Sequence, residues 1–149
     1  MKILEFFENN ARNYWLEEIG KCEWKAGKHL YEYLRNQRLK DLCGEMTKVL
    51  LLTNGDALVS FCTYAEKDDI PDTDLKPWIG YVYTFPEYRG HRNIGKLLSY
   101  AESLAVKDGF EQIFISTGEE SLYEKYGYGF YGIMKDRHGE DSRIYSKKV

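Results

Sequence analysis

The residues best suited to chemistry lie in the stretch 78–98, WIGYVYTFPEYRGHRNIGKLL. Its pattern predicts a strand, a short turn, a loop rich in arginine and glycine, and then an amphipathic helix. The first amides of a helix lack intrahelical partners and lie at the positive end of the helix dipole, so they bind phosphate well. Beside those amides the sequence provides basic side chains from Arg89, His91, Arg92 and Lys96. The stretch therefore predicts a site for a phosphorylated cofactor.

The composition predicts one domain, 1–149, of a soluble cytoplasmic protein. The formal net charge of the 149 residues is −3, so basic character is local to the loop, which argues against a nucleic-acid partner. No apolar run approaches the roughly 18 residues of a membrane span, and the first residues lack the core of a signal peptide, so no membrane partner is expected. Three cysteines without metal-ligand spacing predict reduced thiols and no metal site: Cys22, Cys43 and Cys62.

Periodicity and turn residues predict an α/β chain. The predicted helices are 11–19, 24–39, 93–107 and 119–126. The predicted strands are 2–7, 48–53, 57–65, 78–84, 112–116, 128–134 and 143–146. Because a strand, a long helix and a strand follow one another from residue 78 to residue 116, that segment predicts a βαβ unit with two parallel strands.

Two phrases together resemble a known family. PWIGYVYTFPEYRG at 77–90 runs into the predicted helix, and SLYEKYGYGF follows at 121–130. At this spacing the chain resembles the GCN5-related N-acetyltransferases (GNAT), with a likeness that extends over about residues 50–130. The resemblance implies an α/β fold with a mixed, mostly antiparallel sheet, one splayed parallel strand pair and flanking helices. It also implies acetyl-coenzyme A as the cosubstrate and an amine as the acceptor.

The pyrophosphate loop of that family has Arg or Gln, two residues of any type, Gly, any residue, and then Gly or Ala. A frame that starts at Arg92 places Gly95 correctly but puts Leu97 at a small position. Frames that start at Gly90 or Arg89 lose the arginine or put bulky residues at small positions, so we favour the Arg92 frame. The residues predicted to hold the cofactor here are Arg89, Gly90, His91, Arg92, Asn93, Ile94, Gly95 and Lys96.

The resemblance also assigns a role to the strand before Pro86. In the family this strand separates from its parallel neighbour, which leaves backbone groups free to bond the pantetheine arm and the thioester carbonyl. In this chain those groups belong to Val82, Tyr83 and Thr84. Fixed N–H donors at this place would stabilise the oxyanion of acyl transfer, which is often the largest catalytic contribution. We therefore expect a β-bulge in this strand.

Tyr123 matches the tyrosine that the family points at the coenzyme sulfur. A phenol with a pKa of about 10 is a weaker acid than a thiol with a pKa of about 8.5, so we expect a hydrogen bond that strengthens as charge develops. The alternatives are that Tyr123, one of thirteen tyrosines, only packs its ring, or that Tyr126 is the acid.

The base that takes the proton of the amine is less determined. Glu66, Asp68 and Asp69 directly follow the predicted strand 57–65, and Glu66 is favoured because it is nearest to the strand end. A solvated acidic loop is the alternative for each of them.

The leading hypothesis is transfer of the acetyl group of acetyl-coenzyme A to a primary amine of a small molecule or protein, by direct attack in a ternary complex. The resemblance also allows a homodimer that pairs through sheet edges or C-terminal strands. A non-catalytic coenzyme-binding module is the second hypothesis, because the loop is imperfect. A nucleotide- or RNA-binding domain is disfavoured by the acidic total and by the absence of a Walker-type loop.

Overall fold

Strands and helices alternate along the chain, and the computed structural model describes all residues, 1–149. The strands are β1 (Lys2–Glu5), β2 (Lys48–Asn54), β3 (Ala57–Ala65), β4 (Trp78–Thr84), β5 (Gln112–Thr117), β6 (Gly129–Lys135) and β7 (Asp141–Lys148). The helices are α1 (Arg12–Gly20), α2 (Lys25–Arg35), α3 (Leu39–Cys43) and α4 (Ile94–Lys107). Short 3₁₀ turns cover Phe6–Glu8, Pro86–Tyr88 and Tyr123–Tyr126.

All seven strands form one sheet in the order β1-β2-β3-β4-β5-β7-β6. Only β4 and β5 run parallel, because α4 carries the chain back across the sheet between them. Every other neighbouring pair is antiparallel. The predicted mixed sheet with one parallel pair is therefore confirmed.

The sheet is covered by helices on both faces, and β2 shows how the sequence achieves this. Successive side chains of a strand point to opposite faces. Leu50 and Leu52 accordingly pack in one cluster with Leu97 of α4, whereas Leu51 packs in another with Leu30 of α2. Burying each such side chain contributes about 1.5–3 kcal/mol, so a strand that is apolar on both faces belongs at the centre of this architecture.

Two predicted helices differ from the structure. The helix predicted over 24–39 ends at Arg35, since Gln37 takes a left-handed conformation with φ 56°. The amide of Arg38 then reaches back to the carbonyl of Tyr33 at 2.8 Å, a helix-ending bond that usually needs glycine at the position of Gln37. The helix predicted over 119–126 is only the turn Tyr123–Tyr126.

Two predicted strand ends were also wrong. The first strand stops at Glu5 rather than residue 7, because the chain turns there to bury Phe6. The last strand, predicted over 143–146, extends over Asp141–Lys148, since β6 and β5 pair with it on either side. No helix combines the length and apolar character that a bilayer crossing requires.

Candidate active site

A cleft opens where the two parallel strands separate. Strands β4 and β5 are in register only at Trp78–Phe114 and Ile79–Ile115, and they diverge beyond Ile79. The cleft has a volume of about 1440 Å³ and lies between β4, the end of β5, the start of α4 and the turn Tyr123–Tyr126. The splayed strand pair that the resemblance implies is therefore present.

The expected β-bulge lies in β4. Phe61 of β3 faces Tyr83, but Thr63 faces Gly80, so Tyr81 and Val82 together oppose the single Cys62. A bulge of this kind bends its strand and increases the local twist. Tyr81 has φ 50°, a left-handed conformation that a bulky residue rarely adopts, so the backbone is strained at the bulge.

The three β4 residues predicted to contact the cofactor, Val82, Tyr83 and Thr84, all line the cleft. Two of their carbonyl oxygens already have partners within the chain. The Ser60 hydroxyl donates to the Tyr83 oxygen at 2.6 Å, and the Arg89 Nε donates to the Thr84 oxygen at 2.8 Å. These contacts hold the end of the strand in place at the edge of the cleft.

The loop before α4 offers a run of free backbone donors. The amides of residues 90–94 donate to no acceptor within the chain, whereas the amides of Arg89, Gly95 and Lys96 each donate to a backbone carbonyl. Gly90 has φ 84° and Arg92 has φ 56°, so left-handed residues alternate with others along the loop. A backbone of this kind, with free amides beside a helix N-terminus, is typical of an anion-binding nest.

The basic side chains of this loop have separate positions. Arg89 lies on the ring of Tyr83, 5.3 Å from its centroid, and Lys96 Nζ lies 3.7 Å from the sulfur of Met1. His91 is exposed and does not line the cleft. Asn93 is buried, and its amide nitrogen donates to the carbonyl of Tyr88 at 3.2 Å. The backbone, rather than a cluster of cations, dominates this end of the cleft.

The loop is packed directly against the turn Tyr123–Tyr126. The guanidinium of Arg92 lies 5.1 Å from the ring centroid of Tyr126 and donates to the carbonyl of Lys125 at 3.4 Å. A Cβ at Gly95 would meet the Tyr126 ring at 3.0 Å, so the small residue is needed for this close approach. Arg92 and Gly95 are the two residues that match the family pattern in the frame that starts at Arg92. Both therefore contact the turn Tyr123–Tyr126, which we call the tyrosine turn, and hold it in place.

Tyr123 lies at the floor of the cleft and is 5% exposed. Its hydroxyl has no hydrogen-bond partner in the chain but is not sealed from the cleft. Burial raises the pKa of Tyr123, and the neighbouring Cys62 thiol raises it further. The phenol therefore keeps its proton, and it can donate a hydrogen bond to a group in the cleft. Its ring packs edge-on against Tyr128, whose hydroxyl donates to Glu102 at 2.7 Å.

Glu66, which the sequence favoured as the base, lies outside the cleft. Its Oε1 accepts a hydrogen bond from the Met46 amide at 3.0 Å, and the side chain covers Gly44. This position ties the end of β3 to the segment before β2. The contact is structural, since it satisfies a backbone donor that would otherwise have no partner.

Asp68 and Asp69, unlike Glu66, line the cleft, and the Asp68 carboxylate lies against β4. The chain folds back after β3, so the Asp68 carboxylate lies on Gly80 so closely that any Cβ there would collide with it. Burial raises the pKa of Asp68 to about 7, and the charge of Asp69 raises it as well, whereas Arg137 opposes the shift. A glycine inside a predicted strand often marks such a close approach, so Gly80 was the signal in the sequence that could have indicated this carboxylate.

The comparisons with known proteins agree with this geometry. The model of the Acetyltransferase (GNAT) family matches residues 8–128. An acetyltransferase from Streptococcus agalactiae has the same fold, with a TM-score of 0.68, 21% identity, and coverage of 99% of this chain and 98% of that one. The aminoglycoside 6'-N-acetyltransferase from Enterococcus faecium has a TM-score of 0.68 and 17% identity, with coverage of 99% of this chain and 97% of that one. A GNAT family acetyltransferase from Elizabethkingia anophelis with acetyl-CoA bound has a TM-score of 0.66 and 15% identity, with coverage of 99% of this chain and 97% of that one. A search of curated proteins gives no match.

The family match spans most of the chain, and this protein therefore belongs to the GNAT family of acetyltransferases. It is an acyltransferase that uses acetyl-coenzyme A as its cosubstrate and an amine as its acceptor. The free amides of residues 90–94 fit the pyrophosphate of that cosubstrate. The structure has no group of three or more His, Cys, Asp or Glu side chains that could hold a metal ion.

Proposed function

We propose that this enzyme acetylates a primary amine of a small acceptor that carries more than one positive charge. The observation that carries the proposal is the distribution of charge in the cleft. The cofactor end has the free amides of residues 90–94 and the guanidiniums of Arg89 and Arg92. The remaining wall has an excess of negative charge, because its cations Lys125 and Arg137 are outnumbered by seven carboxylates, from Glu23, Asp68, Asp69, Glu119, Asp136, Glu140 and Asp141. A cleft with an excess of one sign of charge concentrates ligands of the opposite sign.

Asp69 adds to the negative charge of this acidic wall. Its Oδ1 is buried and lacks a hydrogen-bond partner, so this atom is closed to the acceptor, and Asp69 attracts a cation through its charge rather than through contact at that oxygen. Trp24 stacks on Tyr83 with ring centroids 5.7 Å apart, and both rings line the cleft. A cationic acceptor can pack against such rings.

The proposed chemistry needs one group of the chain to accept a proton from the amine and a second group to stabilise the leaving thiolate by a hydrogen bond. Acetyl-coenzyme A supplies an activated acetyl group and a thiol leaving group. An amine with a pKa of about 10.4 is almost fully protonated at pH 7, so it must lose a proton before it can attack. Asp68, with a pKa of about 7, can accept that proton at neutral pH. The Tyr123 hydroxyl donates a hydrogen bond toward the leaving sulfur, and its raised pKa keeps it protonated.

In this proposal the remaining site residues hold the cosubstrate. The amides of residues 90–94 bind the pyrophosphate, and the end of β4 from Val82 to Thr84 binds the pantetheine arm and the thioester carbonyl. The support for the first assignment is the set of free donors, and the support for the second is the absence of a β5 partner beyond Ile79. With both substrates bound in one cleft, the amine attacks directly in a ternary complex.

Thiol release from acetyl-coenzyme A across a panel of amines tests the proposal. We expect a diamine or polyamine to give a kcat/KM about tenfold above that of a monoamine of equal length, because the acidic wall attracts the second charge. The advantage should shrink as salt is added. A lysine peptide that surpasses every small amine would contradict the acceptor class. Calorimetric binding of coenzyme A without turnover of any amine would support a non-catalytic module instead.

A cytoplasmic location is part of the proposal. Its support is the set of three free, buried thiols, Cys22, Cys43 and Cys62, since free thiols are typical of reducing compartments.

We also propose that the enzyme forms a homodimer through β6. This edge strand exposes about half of each of Phe130, Tyr131 and Ile133, and an unpaired edge of this kind favours strand addition. Antiparallel pairing of two β6 strands about Gly132 would place apolar residues opposite one another and keep the two Lys135 side chains apart. Light scattering should give a dimer for the wild type and a monomer for Ile133→Lys, whereas a monomeric wild type would contradict the proposal.

A further inference from the structure

The turn between β6 and β7 is a rigid structure at the edge of the cleft. The Asp136 side chain organises it, because its Oδ1 accepts the amides of His138 at 2.8 Å and Glu140 at 3.0 Å. The backbone adds bonds from Asp136 to Glu140 at 2.8 Å and from Gly139 to Asp136 at 3.0 Å. The hydrogen bonds to its carboxylate hold the pKa of Asp136 below its usual range. A turn fixed in this way can present a side chain in a defined position.

The side chain that this turn presents toward the acidic loop is Arg137. Its amide donates to the carbonyl of Asp69 at 2.8 Å, and its guanidinium Nη2 donates to the carbonyl of Asp68 at 3.1 Å. These bonds join two segments that lie 69 positions apart in the sequence. Arg137 thus contacts the backbone that carries the proposed base.

The acidic loop has few other attachments. Lys67 donates its amide to the carbonyl of Cys43 at 3.1 Å, and the buried side chain of Ile70 packs with Trp78. Between these points, the backbone of Asp68 and Asp69 is bonded to another element only through Arg137. Two adjacent carboxylates repel each other, and the burial of the Asp68 carboxylate against Gly80 adds a second cost. Without a restraint, the loop would place both carboxylates in water.

We propose that Arg137 is a positioning residue for this reaction: it holds the carbonyl oxygens of Asp68 and Asp69 so that the Asp68 carboxylate stays on Gly80, inside the cleft. This inference rests on the proposed role of Asp68 as the base. Arg137 itself does not touch the reacting atoms. The groups that face Asp68 are Asp69, Arg137, Cys43, Tyr81 and Tyr123.

A pH titration of the free enzyme tests this role without any substrate. The ¹³C NMR signal of the Asp68 carboxyl carbon, assigned by its loss in Asp68→Asn, reports the pKa of this group. We expect a midpoint near 7 in the wild type. In Arg137→Met the carboxylate should move into water, and the midpoint should fall by about one unit or more toward the ordinary value of about 3.9.

The direction of the pKa change in Arg137→Met distinguishes a loss of positioning from the loss of a nearby positive charge. Loss of a nearby cation without any movement would raise the pKa of Asp68, because a positive charge stabilises the carboxylate. A midpoint that rises or stays the same therefore overturns the proposal. Lys135→Met is the matched control, since it removes a cation from the same hairpin whose ion pair is with Asp141, and the midpoint of Asp68 in this variant should equal that of the wild type.

Kinetics provide the second measurement. Arg137→Met should lower kcat/KM for the amine about tenfold and leave KM for acetyl-coenzyme A unchanged, because a base displaced by about 1 Å loses rate while the cofactor end is intact. Arg137→Lys, which keeps the charge and a donor, should recover part of the loss. An unchanged kcat/KM in Arg137→Met would overturn the proposal. If the wild type acetylates no amine, the proposed function fails, but the titration still decides whether Arg137 positions Asp68.

Discussion

Replacing Asp68 by asparagine should lower kcat about 100-fold at pH 8, since general base catalysis typically contributes 10²- to 10⁴-fold. Asparagine has nearly the same shape and keeps an oxygen over Gly80, but it cannot accept the proton of the amine. The measurement is thiol release at saturating acetyl-coenzyme A and amine. The fold should be retained, because the raised pKa of Asp68 means that burial penalises its charged form at pH 8. The melting temperature at that pH should therefore be equal or higher.

The pH profile gives the same prediction a second readout. A base works only when it is deprotonated, and the pKa of Asp68 is about 7. In the complex, a cationic acceptor lowers the pKa of Asp68. The wild-type kcat should consequently rise with pH and level off at or below about pH 7, whereas Asp68→Asn should lose this rise. The profile of kcat is chosen because it reports groups in the complex with both substrates bound.

Glu66→Gln is the matched control for this experiment. The glutamine oxygen can still accept the Met46 amide that Glu66 Oε1 accepts at 3.0 Å, so the local structure should persist. We expect its kcat and pH profile to equal those of the wild type. If Glu66→Gln loses activity and Asp68→Asn does not, Glu66 is the base and the assignment of Asp68 is contradicted.

Tyr123→Phe should lower kcat about 100-fold with little change in the affinity for acetyl-coenzyme A. The substitution removes only a hydroxyl that faces the cleft and has no partner in the chain. The affinity should persist because the proposed pyrophosphate contacts come from the amides of residues 90–94. Steady-state kinetics give kcat, and calorimetry with coenzyme A gives the affinity.

Tyr126→Phe is the control for the tyrosine assignment. The ring of Tyr126, rather than its hydroxyl, makes the contacts with Gly95 and Arg92, so the phenylalanine should keep them. We expect less than a threefold change in kcat, on the order of what a surface substitution causes. A larger loss in Tyr126→Phe than in Tyr123→Phe would reverse the assignment and make Tyr126 the acid.

Local chemistry explains why the cofactor end could be predicted from the sequence. The loop after Pro86 and the helix that follows it lie together in the chain, and helix amides bind anions wherever the helix begins. The β-bulge and the separation of β4 from β5 were likewise expected, through the family resemblance, and both are present. The amides before α4 follow from a local pattern, whereas the bulge and the separated strands involve residues distant in sequence and were expected only through the resemblance.

The helix ends show where that local information is insufficient. Helix α2 stops because Gln37 takes a left-handed conformation, and glutamine gives no sign of this in the sequence. The basic side chains before α4 were predicted to add charge for phosphate, which stays a prediction; the structure adds that Arg89 packs on Tyr83 and Arg92 on Tyr126. The contact between Arg92 and Tyr126 joins residues far apart in the sequence, so no local pattern indicates it.

The sequence by itself determined the fold class, the family, the amides at the start of α4 and the tyrosine turn that faces the cleft. Only the tertiary structure distinguished Asp68 from Glu66, two residues apart in the same acidic loop. That choice depends on how the loop folds back over Gly80 and on the hydrogen bonds from Arg137, 69 positions further along the chain. A carboxylate acquires a raised pKa only through the groups that surround it, and distant segments contribute those groups when the whole domain packs.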